Sequence, residues 1–221
     1  MVVGSGKGRF LQKGEIMETR EIAHEIMLGI INTGVEGGYD SVSCSTAGDY
    51  PSIGVSQWEG SRADDLLEKI PGGDRFVDRP FSDIERCGEV EDLRALLDSD
   101  AGRTAQQNQL EDDCMLYVDT LQHVPDLDDS RCIIYAGIWC PTSHIVVEQF
   151  MKHRQERGYN IRSLSEVRDL FRDQYASAAC IPLNCYDGYA NRAENTYQYV
   201  AAIDLTTPYG VPEYGQGPFG R

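Results

Sequence analysis

Apolar side chains recur along this chain at two periods, and the change of period divides it. Ile22, Ile26 and Ile30 follow one another every four residues, with Met27 and Ile31 beside them, so the stretch from about Glu18 to Asn32 is an amphipathic helix. Gly34 stops it and Gly37-Gly38 follows at once. From Tyr39 to Val55 the pattern shortens: Tyr39, Val42, Ile53 and Val55 lie among Ser, Thr, Gly and Pro, which predicts a β-hairpin with a polar loop at Ser43–Tyr50. A second helix starts at Ser61, with Ser61 as its N-cap and acidic residues in its first turn, and ends at Pro71-Gly72-Gly73. Helical spacing then returns over Asp83–Asp98, Ala101–Gln122, Asp129–Trp139, Ser143–Arg157, Ser163–Ser177 and Ala193–Leu205. The segment Asp129–Trp139 is the most apolar and is expected to be the central buried helix.

The sum is an α+β chain, mostly helical, with a small N-terminal β-hairpin lobe and a helical lobe. Residues 17–205 are expected to form the folded domain. Residues 1–16, with Gly4, Gly6, Gly8 and Gly14, read as a flexible extension, and 206–221 as an irregular tail rich in Gly, Pro and Tyr. No internal repeat is visible.

Charge narrows the partners. Twenty basic residues stand against 36 acidic ones, a formal charge of −16, which opposes a nucleic-acid backbone or an anionic membrane as the main partner but leaves a neutral glycan open. No apolar run approaches the roughly 18–20 residues of a membrane span, so no membrane insertion is expected. The first residues lack the basic start and apolar core of a secretory signal. Seven cysteines, an odd number, read as reduced thiols packed as small hydrophobes, with a Cys180–Cys185 bridge as the alternative in an oxidising compartment. Cys132, Cys140 and His144 fit no structural zinc spacing, and no metal or organic cofactor is expected.

The candidate chemistry lies where the first helix meets the hairpin. Glu36 closes the helix, Asp40 and Asp49 sit on the hairpin, and Ser52-Ile53-Gly54 follows. Cleaving a glycosidic bond takes a carboxylic acid that protonates the leaving oxygen and a second group that manages water or charge on the other side. The acid must be desolvated enough to keep its proton. Tyr39 and Trp58 offer apolar surface for a sugar ring. Other readings stand beside these: Asp49 as a turn residue, Asp40 as a hairpin cap, Ser52 as an ordinary strand residue, Gln57 and Trp58 as a packed strand end, and Arg62 paired with a carboxylate such as Asp65.

Glu36-Gly37-Gly38-Tyr39, Gly48 to Ser52-Ile53-Gly54, Gln57-Trp58 and Arg62-Ala63 together resemble the phage endolysins and bacterial cell-wall hydrolases of the lysozyme-like superfamily. The stretch Gly102-Arg103-Thr104-Ala105-Gln106, Leu110, Asp113 and Tyr117-Val118 is similar to their helical lobe, and the chitosanases share the layout. The chain departs from that pattern at Thr46-Ala47-Gly48, where relatives carry an Asp-Asn-Gly-like loop, at Glu59 after Gln57-Trp58, and at Cys140-Pro141-Thr142-Ser143. The resemblance implies a lysozyme-like fold and a glycosidase cutting β-1,4 amino-sugar linkages of peptidoglycan. In that reading Glu36 is the general acid, Asp49 the base or water-positioning carboxylate with Asp40 as its rival, and Ser52 the orienting hydroxyl. Tyr39, Gln57 and Trp58 contact substrate. It further implies a monomer held in the cytoplasm until release to the wall, or one carried in a virion. The alternatives are a non-catalytic glycan-binding or phage structural module that retains the fold, and a cysteine hydrolase using Cys44 with His24, His123, His144 or His153.

Overall fold

The computed structural model describes residues 17–33 and 37–204, which divide into two compact units. Gly34–Asp113 form one, and the first 33 residues together with those from Cys114 onward form the other. The chain is mostly helical, with a single two-stranded antiparallel sheet among the described residues. Glu36, residues 1–16 and residues 205–221 lie outside the described residues.

The hairpin unit contains β1 (Val42–Cys44) and β2 (Pro51–Ile53), then α2 (Ser61–Leu67), a 3-10 turn at Asp74–Phe76, α3 (Phe81–Arg86) and α4 (Val90–Asp98). The first part of α5 (Asp100–Leu121) completes it. The strands pair with Val42 opposite Ile53, Ser43 opposite Ser52 and Cys44 opposite Pro51. Alternation then turns Val42 and Ile53 into the interior together and stacks the two serines on one face.

Two expectations change here. Gly60, not Ser61, is the N-cap of α2: its φ of 53° needs a residue without a Cβ, and no side chain caps that end. The helix expected over Asp83–Asp98 is two helices. Gly88 takes a φ of 72°, a left-handed conformation that ends α3 and redirects the chain into α4.

The helical unit holds α1 (Thr19–Thr33), the end of α5, α6 (Ser130–Ile138), α7 (His144–Glu156), α8 (Leu164–Leu170) and α10 (Tyr186–Ala201). Between α8 and α10 come a π-helical turn, Phe171–Tyr175, the short α9 (Ala176–Ala178) and a 3-10 turn at Leu183–Cys185. As the apolar run predicts, α6 is the centre: every residue from Cys132 to Ile138 is buried. It lies tightly against α1 through two reciprocal notches. A Cβ on Gly137 would stand 2.3 Å from Ile26 Cδ1, and one on Gly29 would stand 2.3 Å from Ile138 Cδ1. Asp129 caps α6 by accepting from Arg131 N–H at 2.8 Å, and Ser143 caps α7.

The sequence pattern is corrected twice more in this unit. The segment expected as one helix over Ser163–Ser177 widens to a π turn at Phe171, where Phe171 and Tyr175 enter an aromatic cluster with Tyr135, Trp139 and Phe150. The last helix begins at Tyr186, not Ala193. Tyr189 stacks on Tyr175 at 6.1 Å between centroids, and that contact outweighs the poor helix propensity around Gly188. No helix among the described residues is long and apolar enough to cross a membrane.

Candidate active site

One face of the hairpin gathers a polar cluster. Ser43 Oγ lies 3.3 Å from Gln57 Oε1 and Ser52 Oγ lies 3.3 Å from the same oxygen. Ser52 Oγ also stands 3.2 Å from the Gln57 carbonyl, and Gln57 Nε2 donates to Gly54 O at 2.9 Å. The turn that carries Gln57 is tight: Gly54 has a φ of 71°, Gln57 one of 49°, and Trp58 N–H closes it on Ile53 O at 2.9 Å. A left-handed non-glycine residue costs energy, and the hydrogen bonds to both ends of the Gln57 side chain hold it there. Ser52 is 4% exposed, so its hydroxyl fixes Gln57 and is not open to bulk water.

Gly37 comes up against this cluster. A Cβ there would fall 2.7 Å from Ser41 Oγ and 3.2 Å from Gln57 Nε2, and Gly38 N–H donates to Ser41 Oγ at 2.7 Å. Only glycine fits at 37. Position 36 is one peptide bond away by covalent connection. Tyr39, half-buried, accepts from Gln107 Nε2 at 2.7 Å through its hydroxyl, and the Arg103 guanidinium lies 4.8 Å from its ring centroid. Asp40 is exposed on the same turn, and no hydrogen bond or ion pair among the described residues occupies its carboxylate.

Asp49 stands elsewhere. Its two carboxylate oxygens accept from Ser82 N–H at 2.9 Å and Ser82 Oγ at 2.6 Å, and Phe81 N–H reaches its carbonyl at 3.3 Å. The hairpin loop thus caps the start of α3, in the place where a helix favours negative charge. The Ser82 hydrogen bonds hold the Asp49 carboxyl below the ordinary carboxylate range. A carboxylate so occupied is a weak base, so the geometry gives Asp49 a structural task rather than the water-positioning role expected of it.

Trp58 also changes role. It is 5% exposed, and its Nε1–H donates to Asp113 Oδ2 at 2.9 Å, so it presents no open ring to a sugar. The other oxygen of Asp113 pairs with Arg62, so Arg62 meets a carboxylate as expected, and that carboxylate is Asp113 on α5 rather than Asp65. The hairpin, α2 and α5 are tied together through this one carboxylate.

A second tie was not expected as such. Gln106 is fully buried. Its Nε2 donates to Tyr39 O at 3.1 Å and Leu97 O at 2.9 Å, and its Oε1 accepts from Val55 N–H at 3.0 Å. One amide therefore sets the spacing between the segment after position 36, the turn after β2 and the end of α4. The signal was present in the sequence: Gln106, Gln109 and Asp113 fall in the buried stripe of α5 with Ala105, Leu110 and Cys114, where polar side chains persist only when they find partners.

The remaining candidates are dispersed. All seven cysteines are free thiols, Cys180 and Cys185 included. Burial pushes the Cys132 and Cys140 thiols up, away from the reactive thiolate form. Cys44 is exposed, its Sγ lies 3.8 Å from Gly48 O, and no histidine among the described residues activates it. His144 faces the Tyr117 ring, and no group of His, Cys, Asp and Glu among the described residues is arranged to hold a metal ion.

Comparison of the chain with protein-family models, with curated proteins and with solved structures returned no match, so the functional reading rests on the residues and their geometry.

Proposed function

We propose that this chain is a glycoside hydrolase of lysozyme-like fold that cleaves β-1,4 amino-sugar linkages in peptidoglycan, with Glu36 as general acid. The observation that carries the reading is the cluster of Ser43, Ser52 and Gln57, whose Gln57 amide comes up against Gly37, the covalent neighbour of Glu36. It supplies fixed amide and hydroxyl groups, with the Gln57 amide against the residue that follows Glu36 in the chain. Such groups suit the hydroxyl and acetamido substituents of a sugar strand. They cost no reorganisation when charge develops at the reacting centre.

The second carboxylate is Asp40, which is exposed and unengaged, whereas Asp49 is committed to Ser82. Protonation of the glycosidic oxygen by Glu36 breaks the bond to the leaving sugar, and a water activated by Asp40 completes hydrolysis. Tyr39 and Gln57 are the substrate contacts. Buried Trp58 supports the turn on which Gln57 sits.

The test is to add the protein to purified peptidoglycan and count new reducing ends while turbidity is followed. New reducing ends together with falling turbidity support the proposal, and a drop in turbidity without reducing ends contradicts it. A second reading, a non-catalytic glycan-binding module that retains the fold, is favoured by the diversion of Asp49 into capping. It requires saturable binding to cell walls with no reducing ends at all.

A further inference from the structure

We infer that the groove between α7 and the π turn of the helical unit is a binding site for the free carboxylate end of an apolar peptide. This inference is independent of the hairpin site and of the proposed hydrolase activity. The groove has a volume of about 590 Å³, within the range of about 300–1,000 Å³ common for ligand sites. Phe150 and Tyr175 form an aromatic floor, their rings edge to face with centroids 5.2 Å apart, and Val146 and Ala179 extend the apolar wall.

Arg154 lines the same groove. Its guanidinium lies 5.4 Å from the Phe150 centroid and 6.0 Å from that of Tyr159, so two aromatic rings flank it. Its Nε is shielded, and among the described residues it has no hydrogen-bond partner and the side chain forms no ion pair. Arg162, Arg168 and Arg172 of the same unit each hold a carboxylate, whereas Arg154 holds none among the described residues. An oriented guanidinium without an anion, beside an apolar trough, matches a carboxylate attached to an apolar body.

The backbone beneath adds a separate observation. Tyr175 closes the five-residue π turn Phe171–Tyr175, a rare form of helix that is frequent at functional sites. The other charged groups on the groove are Lys152, which is held by Glu148, and His153 facing Glu156 at 4.0 Å. Arg154 is therefore the cation left for a ligand. The chain's charge of −16 repels polyanions, so the fit is to one carboxylate on a neutral, apolar segment, with Gln149 and His153 on the rim to meet peptide amides.

The experiment uses the whole chain and a fluorescein-labelled Ala-Leu-Ala-Leu peptide with a free carboxyl terminus, read by anisotropy. Saturable binding is expected, weakened about tenfold or more by amidating the terminus or by Arg154→Met, and partly restored by Arg154→Lys. Ala179→Trp fills the trough without touching the charge and is expected to abolish binding. Thermal melts show whether each variant keeps its fold. No saturable binding, equal binding of the amidated peptide, or binding of octanoate without binding of the peptide overturns the inference.

Discussion

Replacing Gln106 with methionine keeps the volume of the side chain and removes its hydrogen bonds. In the native structure the amide serves Val55 N–H, Leu97 O and Tyr39 O at 2.9–3.1 Å. Val55 is 1% exposed and Leu97 fully buried, so both groups lose a partner that water cannot replace, whereas the Tyr39 carbonyl is partly open and is set aside. An orphaned buried group costs about 1–3 kcal/mol, and the Leu97 carbonyl keeps some freedom to find another donor, which gives a loss of about 2–4 kcal/mol. Urea unfolding followed by circular dichroism measures it. Gln106→Glu is the companion variant. Burial against two carbonyls raises the folded pKa of the new carboxyl above its unfolded value of about 4.3, so this variant loses stability relative to wild type as pH rises above that value. A loss below about 0.5 kcal/mol for Gln106→Met, the level of an ordinary surface change, refutes the claim that this amide holds the three segments together.

Three further outcomes follow from the same geometry. Asp49 has its carboxyl pKa lowered by Ser82, so the stability that wild type holds over Asp49→Ala is full above the unfolded carboxylate value of about 3.9 and fades as pH falls through the lower folded value; urea midpoints from neutral to acid pH check this, and a gap that widens toward acid contradicts it. In double-mutant cycles Asp113 couples more strongly to Trp58 than to Arg62, because the indole N–H is buried while the Arg62 side chain is 47% exposed and screened by water; equal couplings contradict that order. Gly137→Ala improves helix propensity yet lowers stability by about 1–3 kcal/mol, because its Cβ meets three atoms of Ile26 within 3.1 Å; a gain in melting temperature contradicts the close α1–α6 packing.

Periodicity made most helices legible. Ile22, Ile26 and Ile30 on α1 and the apolar run of α6 state their burial directly, because a helix with one apolar stripe has one way to bury it. The hairpin was legible from its alternation and turn residues. The losses occurred where tertiary contact overrides local preference. Gly88 divides the single helix expected over Asp83–Asp98, and the last helix starts at Tyr186 rather than Ala193, where Tyr189 stacks on Tyr175. The site was legible in residue types and less so in roles. Asp49 and Trp58 have the side chains the chemistry calls for, and only their partners, Ser82 and Asp113, show that they act as a cap and an anchor. Such partners lie 33 and 55 residues away, beyond the reach of local pattern.

The most direct measurement of the central claim is the release of reducing ends from purified peptidoglycan by wild type and by Glu36→Gln side by side, with melting curves to show that both fold alike. The account predicts steady release by wild type and a loss of about a hundredfold or more in the variant, the scale of a removed general acid. Equal release by the two proteins contradicts it, as does no release by wild type.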